Sequence, residues 1–210
     1  MKRYVIGDIH GCCDELIGLL GKIVEHANGP HKIIFVGDYV DRGPDSKEVV
    51  NLVMGLEKQG HVALMGNHED MLLAGEYTYA AETIVSFGGF PGHFIPEYAL
   101  EWMRSLPKYY EDDTIIVAHA DANPVFPMDE QTDAMLMWLR YKPGQPAQLN
   151  KHFYHGHTPF TTKTPEGAVD RTNVDTGCVY GGFLTAAIVG ENGKPEGFLQ
   201  VPAKKSVIDV

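Results

Sequence analysis

Seven side chains in this sequence offer metal-competent donors just past short apolar runs: Asp8, His10, Asp38, Asn67, His68, His119 and His157. Carboxylate and amide oxygens mixed with imidazole nitrogens suit a divalent first-row metal and disfavour calcium or a thiolate zinc site. With three histidines, three carboxyl or amide ligands and a carboxylate free to bridge, the set is large enough for two ions. Packing several anions into one cleft would otherwise force protons onto some of them. Two dications roughly 3.5–4 Å apart can hold a bridging hydroxide and clamp a phosphate oxygen. Phosphate-ester hydrolysis is among the slowest uncatalysed reactions, so it needs both a strong nucleophile and fixed positive charge. In "GDYVDRG", residues 37–43, Arg42 adds a planar guanidinium that can grip phosphate oxygens bidentately.

These donors need elements that bring them together. "RYVI" leads into "GDIHG", "KIIFV" into "GDYVDRG", "HVALM" into "GNHED", "TIIV" into "AHAD" and "HFY" into "HGHT". Each run is short, apolar and closed by a small residue, which reads as a buried strand. From Asp14 the apolar positions Leu16, Leu19, Leu20, Ile23 and Val24 share one helix face, which "NGP" at 28–30 stops. From Ser46 a second helix carries Val49, Val50, Val53, Met54 and Leu56, with Asp45 or Ser46 as its cap. Strand, helix, strand, helix, strand implies right-handed crossovers and parallel strands, whose carboxyl ends carry ligands. Residues 75–107 read as interrupted helix with a loop at "SFGGFPG". The tail "RTNVD", "GFLTAAIVG" and "EGFLQVP" reads as strands, the last two joined by a turn at "ENGK".

The ordered set "GDIHG" (7–11), "GDYVDRG" (37–43), "GNHE" (66–69), "HAD" (119–121) and "GHT" (156–158) resembles the phosphoprotein phosphatases of the calcineurin-like metallophosphoesterase superfamily. The likeness is greatest to compact prokaryotic and phage members of the bacteriophage lambda type, and "DTGCVYGGFLTA" (175–186) extends it to most of the chain. The resemblance implies an α/β fold of two packed mixed β-sheets flanked by helices. It implies Asp8 and His10 as ligands of a first metal, Asp38 as a bridge, and Asn67, His119 and His157 as ligands of a second. It makes His68 the acid that protonates the leaving group, Asp41 the carboxylate that orients His68, and Arg42, Arg140 and Asn67 substrate contacts. An imidazolium held by a carboxylate suits a general acid at neutral pH. Manganese is the implied metal, with iron or zinc fitting the same ligands.

The function expected is a metal-dependent protein phosphatase acting on phosphoserine and phosphothreonine, with phosphotyrosine open, by direct attack of a metal-bridging hydroxide. Its partner would be a phosphoprotein or phosphopeptide. The alternative is a diadenosine tetraphosphatase-like hydrolase. Those enzymes typically lack the acid at Asp41 and end the third motif in aspartate, whereas this chain has Asp41 and Glu69. A non-catalytic phosphate- or partner-binding member is the alternative of another class. Phe183 stands where compact relatives often carry a basic residue.

The remaining signals set boundaries. The chain has 210 residues, 44% hydrophobic, enough for one globular domain over 1–210. A net charge of −11 repels nucleic acid and anionic membrane. Three cysteines, two of them adjacent, suit a reducing compartment. The absence of an apolar signal region or membrane-length stretch gives a cytoplasmic expectation. His26, His31, His61, His93, His152 and His155 are read as ordinary histidines, Trp102 and Trp138 as packing residues, and Met135 and Met137 as core or substrate-channel wall.

Overall fold

The computed structural model describes residues 1–76, 78–89, 95–140, 142–160 and 164–204. Strand β1 (Lys2–Ile6) leads through the first motif into α1 (Cys13–Ala27), then β2 (His31–Phe35), α2 (Ser46–Glu57) and β3 (Val62–Ala63). The helix α3 (Asn67–Ala74) follows at once, then α4 (Ala81–Ser86) and α5 (Glu97–Ser105). A second group comprises β4 (Tyr109–Glu111), β5 (Ile115–Ala118), α6 (Asp133–Trp138), β6 (His152–His155), β7 (Glu166–Ala168) and β8 (Arg171–Asn173). The chain closes with β9 (Phe183–Val189) and β10 (Pro195–Pro202).

Two five-stranded mixed sheets result, ordered β10-β9-β1-β2-β3 and β4-β5-β6-β8-β7. In the first, β1, β2 and β3 run parallel, with Ile6 opposite Phe35 and Phe35 opposite Ala63. In the second, β5, β6 and β8 run parallel, with Val117 opposite Tyr154. The strand period of two divides each apolar run between two cores. Val5, Ile34 and Val36 join Ile115, Val117 and Tyr154 in one cluster. Tyr4, Ile6, Ile33 and Phe35 face the other way, into a cluster with Leu16, Leu19 and Val50 of α1 and α2. Ile116 and Phe153 similarly face a third cluster with Leu136 of α6. Burial on both faces explains why these runs are continuous rather than alternating.

The predicted helix α1 ends where expected, with Asn28 left-handed (φ 47°) and its N–H donating to Val24 O at 3.1 Å. At α2, Asp45 occupies the cap position without a side-chain capping bond, and Ser46 Oγ instead meets Thr83 Oγ1 at 3.2 Å. Strands β4 and β7 and helices α3 and α6 were not foreseen in the sequence. The turn between β9 and β10 falls at the expected "ENGK". The expected loop over 86–92 and His93 lie partly or wholly outside the described residues. Across the two sheets, Arg3 donates to Asp112 Oδ2 at 2.6 Å and to Thr114 Oγ1 at 2.9 Å. Burial opposes ionisation of Asp112, but the N–H groups of Thr114 and Ile115 and the Arg3 guanidinium bring its pKa down to about 2. No helix among the described residues is long and apolar enough to cross a membrane.

Candidate active site

The carboxyl ends of six parallel strands converge on one pocket of about 340 Å³. Asp8, His10, Asp38, Arg42, Asn67, His68, Arg140 and His157 all line it. His119 is fully buried behind them and reaches the same cluster. The third motif is the first turn of α3, so the helical rotation separates the side chains of Asn67 and His68. Asn67 turns towards His119 and His157, and His68 turns towards Asp41.

Asp38 stands between two donor groups. Its Oδ2 is 3.4 Å from His10 Nε2, and its Oδ1 is 3.4 Å from His119 Nε2. Donor atoms of Asp8, Asp38 and His119 lie within 4.8 Å of one another, as do those of His10, Asp38 and His68. Burial lowers the pKa of both His10 and His119, which favours their neutral forms. His10 Nδ1 faces Val40 O at 2.8 Å, and His119 Nδ1 faces Val36 O at 3.2 Å. A carbonyl partner fixes the proton on Nδ1 and leaves Nε2 a bare lone pair. His119 Nε2 then confronts Asn67 Oδ1 at 2.8 Å, acceptor against acceptor. His157 Nδ1 lies 2.9 Å from the same oxygen, and its buried Nε2 has no partner. Burial and the neighbouring His119 lower the His157 pKa to about 3. A shared cation resolves these opposed lone pairs, so the residues fit divalent ions.

The carboxylates make the same demand. Burial, then the charges of Asp175 and Asp38, push Asp8 well above its ordinary pKa. Asp175, which also lines the pocket, is pushed to about 6 by its burial and by Asp38. Positive charge from bound ions removes this penalty. Space is tight around both ligands. A Cβ at Gly66 would stand 2.2 Å from Asp38 Oδ1, and one at Gly156 would stand 2.0 Å from Asp8 Oδ1.

The backbone is bent to suit. His10, Asp38, Asp41, Arg42 and His157 have φ of 46°, 55°, 69°, 69° and 67°, in the left-handed region. Such residues persist only where surroundings over-determine them. Glu69 provides much of that constraint: its Oε2 accepts the N–H groups of Asp38 (2.9 Å) and Gly66 (3.0 Å). Its Oε1 accepts those of Tyr39 (2.8 Å) and Val40 (3.2 Å).

His68 Nδ1 lies 2.7 Å from Asp41 Oδ2, while Thr83 donates to Asp41 Oδ1 at 2.8 Å. Burial works to lower the His68 pKa, but the Asp38 charge and the Asp41 hydrogen bond outweigh it and raise the pKa. This leaves Nε2 as the nitrogen available to the pocket. Arg42 contacts His10 Nε2 and lies between the rings of Tyr79 and Tyr180, 5.7 and 5.5 Å from their centroids. Arg140 is exposed at the rim.

Asp175, Tyr79, Tyr180 and Trp138 were not foreseen as pocket residues. Asp175 follows the short strand β8 and precedes a glycine, the same layout as the other motifs, so a signal for it existed. Trp138, read as packing, lines the pocket and is 42% exposed, whereas Trp102 is buried. His155 stays outside the pocket: its Nε2 accepts from Arg171, which pairs with Asp121 at 2.7 Å. Met137 is buried, and Phe183 begins β9 away from the pocket.

Two packed mixed sheets, with carboxylate and imidazole donors around a shared aspartate and arginines beside them, define a metallophosphoesterase. The family model for calcineurin-like phosphoesterases matches residues 1–186, and the chain belongs to that family. The family implies a binuclear site for divalent ions. An asymmetrical bis(5'-nucleosyl)-tetraphosphatase PrpE of Anoxybacillus flavithermus is 31% identical over 218 residues, covering 87% of this chain and 88% of its own. A solved structure described as a candidate diadenosine tetraphosphatase matches with a TM-score of 0.70 and 25% identity, over 96% of this chain and 93% of that one. A cold-active protein-tyrosine phosphatase of a psychrophilic Shewanella shares the fold, with a TM-score of 0.69 and 20% identity over 97% of this chain and 80% of that one.

These relatives correct the expectation of a phosphoprotein partner: the similar curated proteins are named for a dinucleotide substrate. The structure explains why Asp41 and Glu69 misled. Neither lines the pocket. Asp41 is engaged by His68 and Thr83, and Glu69 by four backbone N–H groups.

Proposed function

We propose that this chain hydrolyses bis(5'-nucleosyl) tetraphosphates asymmetrically, adding water across one phosphoanhydride to give a nucleoside monophosphate and a nucleoside triphosphate. The observation that carries the phosphoester chemistry is Asp38, one oxygen facing each of two donor sets, with Arg42 and Arg140 on the same pocket. The substrate class follows the names of the relatives.

Asp8, His10 and Asp38 would hold one ion; Asp38, Asn67, His119 and His157 would hold the other. Manganese is our assignment among the first-row metals these donors fit. When bound, such ions supply a nucleophile at neutral pH and fixed positive charge at the phosphate. The remaining steps belong to the chain. Arg42, held rigid between two tyrosine rings, and Arg140 grip the phosphate under attack, with Asn67 beside them. His68 donates its Nε2 proton to the departing phosphate oxygen, while Asp41 and Thr83 hold the ring in place. The three free cysteines are buried thiols, which suits our placement of the protein in the cytoplasm.

The test is hydrolysis of diadenosine tetraphosphate by the manganese-, iron- or zinc-loaded protein, with products separated by anion exchange and a chelated control. Equal amounts of AMP and ATP are expected. Two ADP, or turnover of p-nitrophenyl phosphate without any dinucleotide cleavage, would overturn the assignment.

A further inference from the structure

We propose that Trp138 is the platform on which one nucleobase of the substrate stacks; this deepens, and rests on, the dinucleotide reading. A bis(nucleosyl) tetraphosphate carries two nucleosides on four phosphates. A pocket of about 340 Å³ is at the small end of ligand sites, so the nucleosides must lie along its rim.

Among the described residues, the phenol and indole rings on that pocket are Tyr79, Trp138 and Tyr180. The two tyrosine rings are engaged by the Arg42 guanidinium. Among the described residues, Trp138 has a single ring contact, a near-perpendicular one with His157 at 6.3 Å and 76°. No other aromatic ring among the described residues stacks on the indole, which lines the pocket beside the second donor set. The other tryptophan makes the contrast. Trp102 is 7% exposed and donates its indole N–H to Glu57 at 2.7 Å, as a packed tryptophan does. Trp138 is 42% exposed.

The platform is also fixed in place. Trp138 ends α6, and the preceding Leu136 and Met137 are buried. The N–H of Ala120 donates to Leu136 O at 2.7 Å, and that of Asp121 to Leu139 O at 3.0 Å. The backbone on either side of Trp138 is thus tied to the two residues that follow His119. A base on the indole would sit in a set position relative to the phosphate site, and Arg140, two residues on, would meet the phosphates leading to it. Every base offers a π-face, so this contact selects for a nucleobase without choosing among them.

The experiment uses the manganese-loaded protein, in excess manganese, turning over p-nitrophenyl phosphate. Diadenosine tetraphosphate and inorganic tripolyphosphate are the two competitors, and the readout is the ratio of their inhibition constants in one preparation. Loss of a stacking ring typically weakens binding by roughly 5- to 150-fold per base. Trp138→Ala should therefore raise the dinucleotide constant relative to the tripolyphosphate constant by about tenfold or more, and Trp138→Phe should retain most of the selectivity. The dinucleotide should also quench indole emission in the wild type, and that quenching should vanish in Trp138→Phe. An unchanged ratio in Trp138→Ala, or equal quenching with and without Trp138, would overturn the platform. Dinucleotide cleavage is scored separately by release of AMP and ATP. Selective inhibition without cleavage removes the proposed function and leaves the platform standing; cleavage without selectivity does the reverse.

Discussion

Replacing Glu69 by glutamine should loosen the loop that carries Asp38, Asp41 and Arg42, although Glu69 does not line the pocket. In the native protein each carboxylate oxygen accepts two backbone N–H groups. Burial, then the Asp38 charge, push the Glu69 pKa up to about 8, but among the described residues four N–H donors and no acceptor face the carboxylate, which favours the ionised form. A glutamine carbonyl can still accept two of them, but the amide nitrogen would point two donors at the other two N–H groups. Each hydrogen bond to a charged group contributes about 1.5–3 kcal/mol, so losing two implies about 3–6 kcal/mol before relaxation. We expect about 3 kcal/mol after relaxation, which is about 6–12 °C in Tm for a chain of this size. Scanning calorimetry of the metal-free protein measures it, with Glu25→Gln, on the exposed side of α1, as the control. Manganese affinity, from titration calorimetry, should fall as well, because Asp38 N–H is among the groups released. A Tm within 2 °C of the control would refute the cradle as a source of stability. Unchanged manganese affinity alongside a lower Tm would deny it any positioning role.

Three further outcomes follow from the geometry. Gly156→Ala, whose Cβ would press on Asp8 Oδ1, should weaken manganese binding by about 10- to 100-fold in titration calorimetry; unchanged affinity would mean that Asp8 is not a ligand. His68→Asn should slow hydrolysis of an alkyl phosphate by about 10²–10⁴-fold and p-nitrophenyl phosphate far less, since nitrophenolate departs without a proton; equal losses would remove His68 as the acid. Asp112, with its pKa depressed from 3.8 to about 2 in the folded protein, contributes about 2 kcal/mol above pH 4 that is lost as pH falls towards 2. Asp112→Asn should therefore be less stable than wild type in urea titrations at pH 6, with the gap falling to about half by pH 3 and closing only near pH 2; a constant gap would place the effect elsewhere.

The strands that end in motifs were legible because both of their faces are buried, which makes "KIIFV" and "TIIV" continuous apolar runs. Strands β4 and β7 were not, because they lie at sheet edges, are three residues long and pack only in part. The donors Asp8, His10, Asp38, Asn67, His119 and His157 were readable as a set from their residue types and their common place at strand ends, and the fold gathers them. Asp175 escaped although its context repeats the pattern. The openness of Trp138 had no sequence signal at all, since exposure of an indole is decided by tertiary contacts at the end of α6. The phosphoprotein expectation failed for a related reason: Glu69 and Asp41, taken as reporters of the substrate, hold the loop backbone and His68.

The left-handed backbone at His10, Asp38, Asp41, Arg42 and His157 sets stability against turnover at the centre of the molecule. Each such residue costs of order 1–3 kcal/mol that glycine would not incur, and the crowded carboxylates add repulsion that only bound ions relieve. Gene copies relieved of selection for turnover, but still required to fold, should therefore drift here first, with glycine or asparagine at Arg42 and amides at Asp8 and Asp175, while Val5, Ile34 and Tyr154 hold. The order of decay in such pseudoenzymes would run from the pocket outward, and the sandwich would outlast its chemistry.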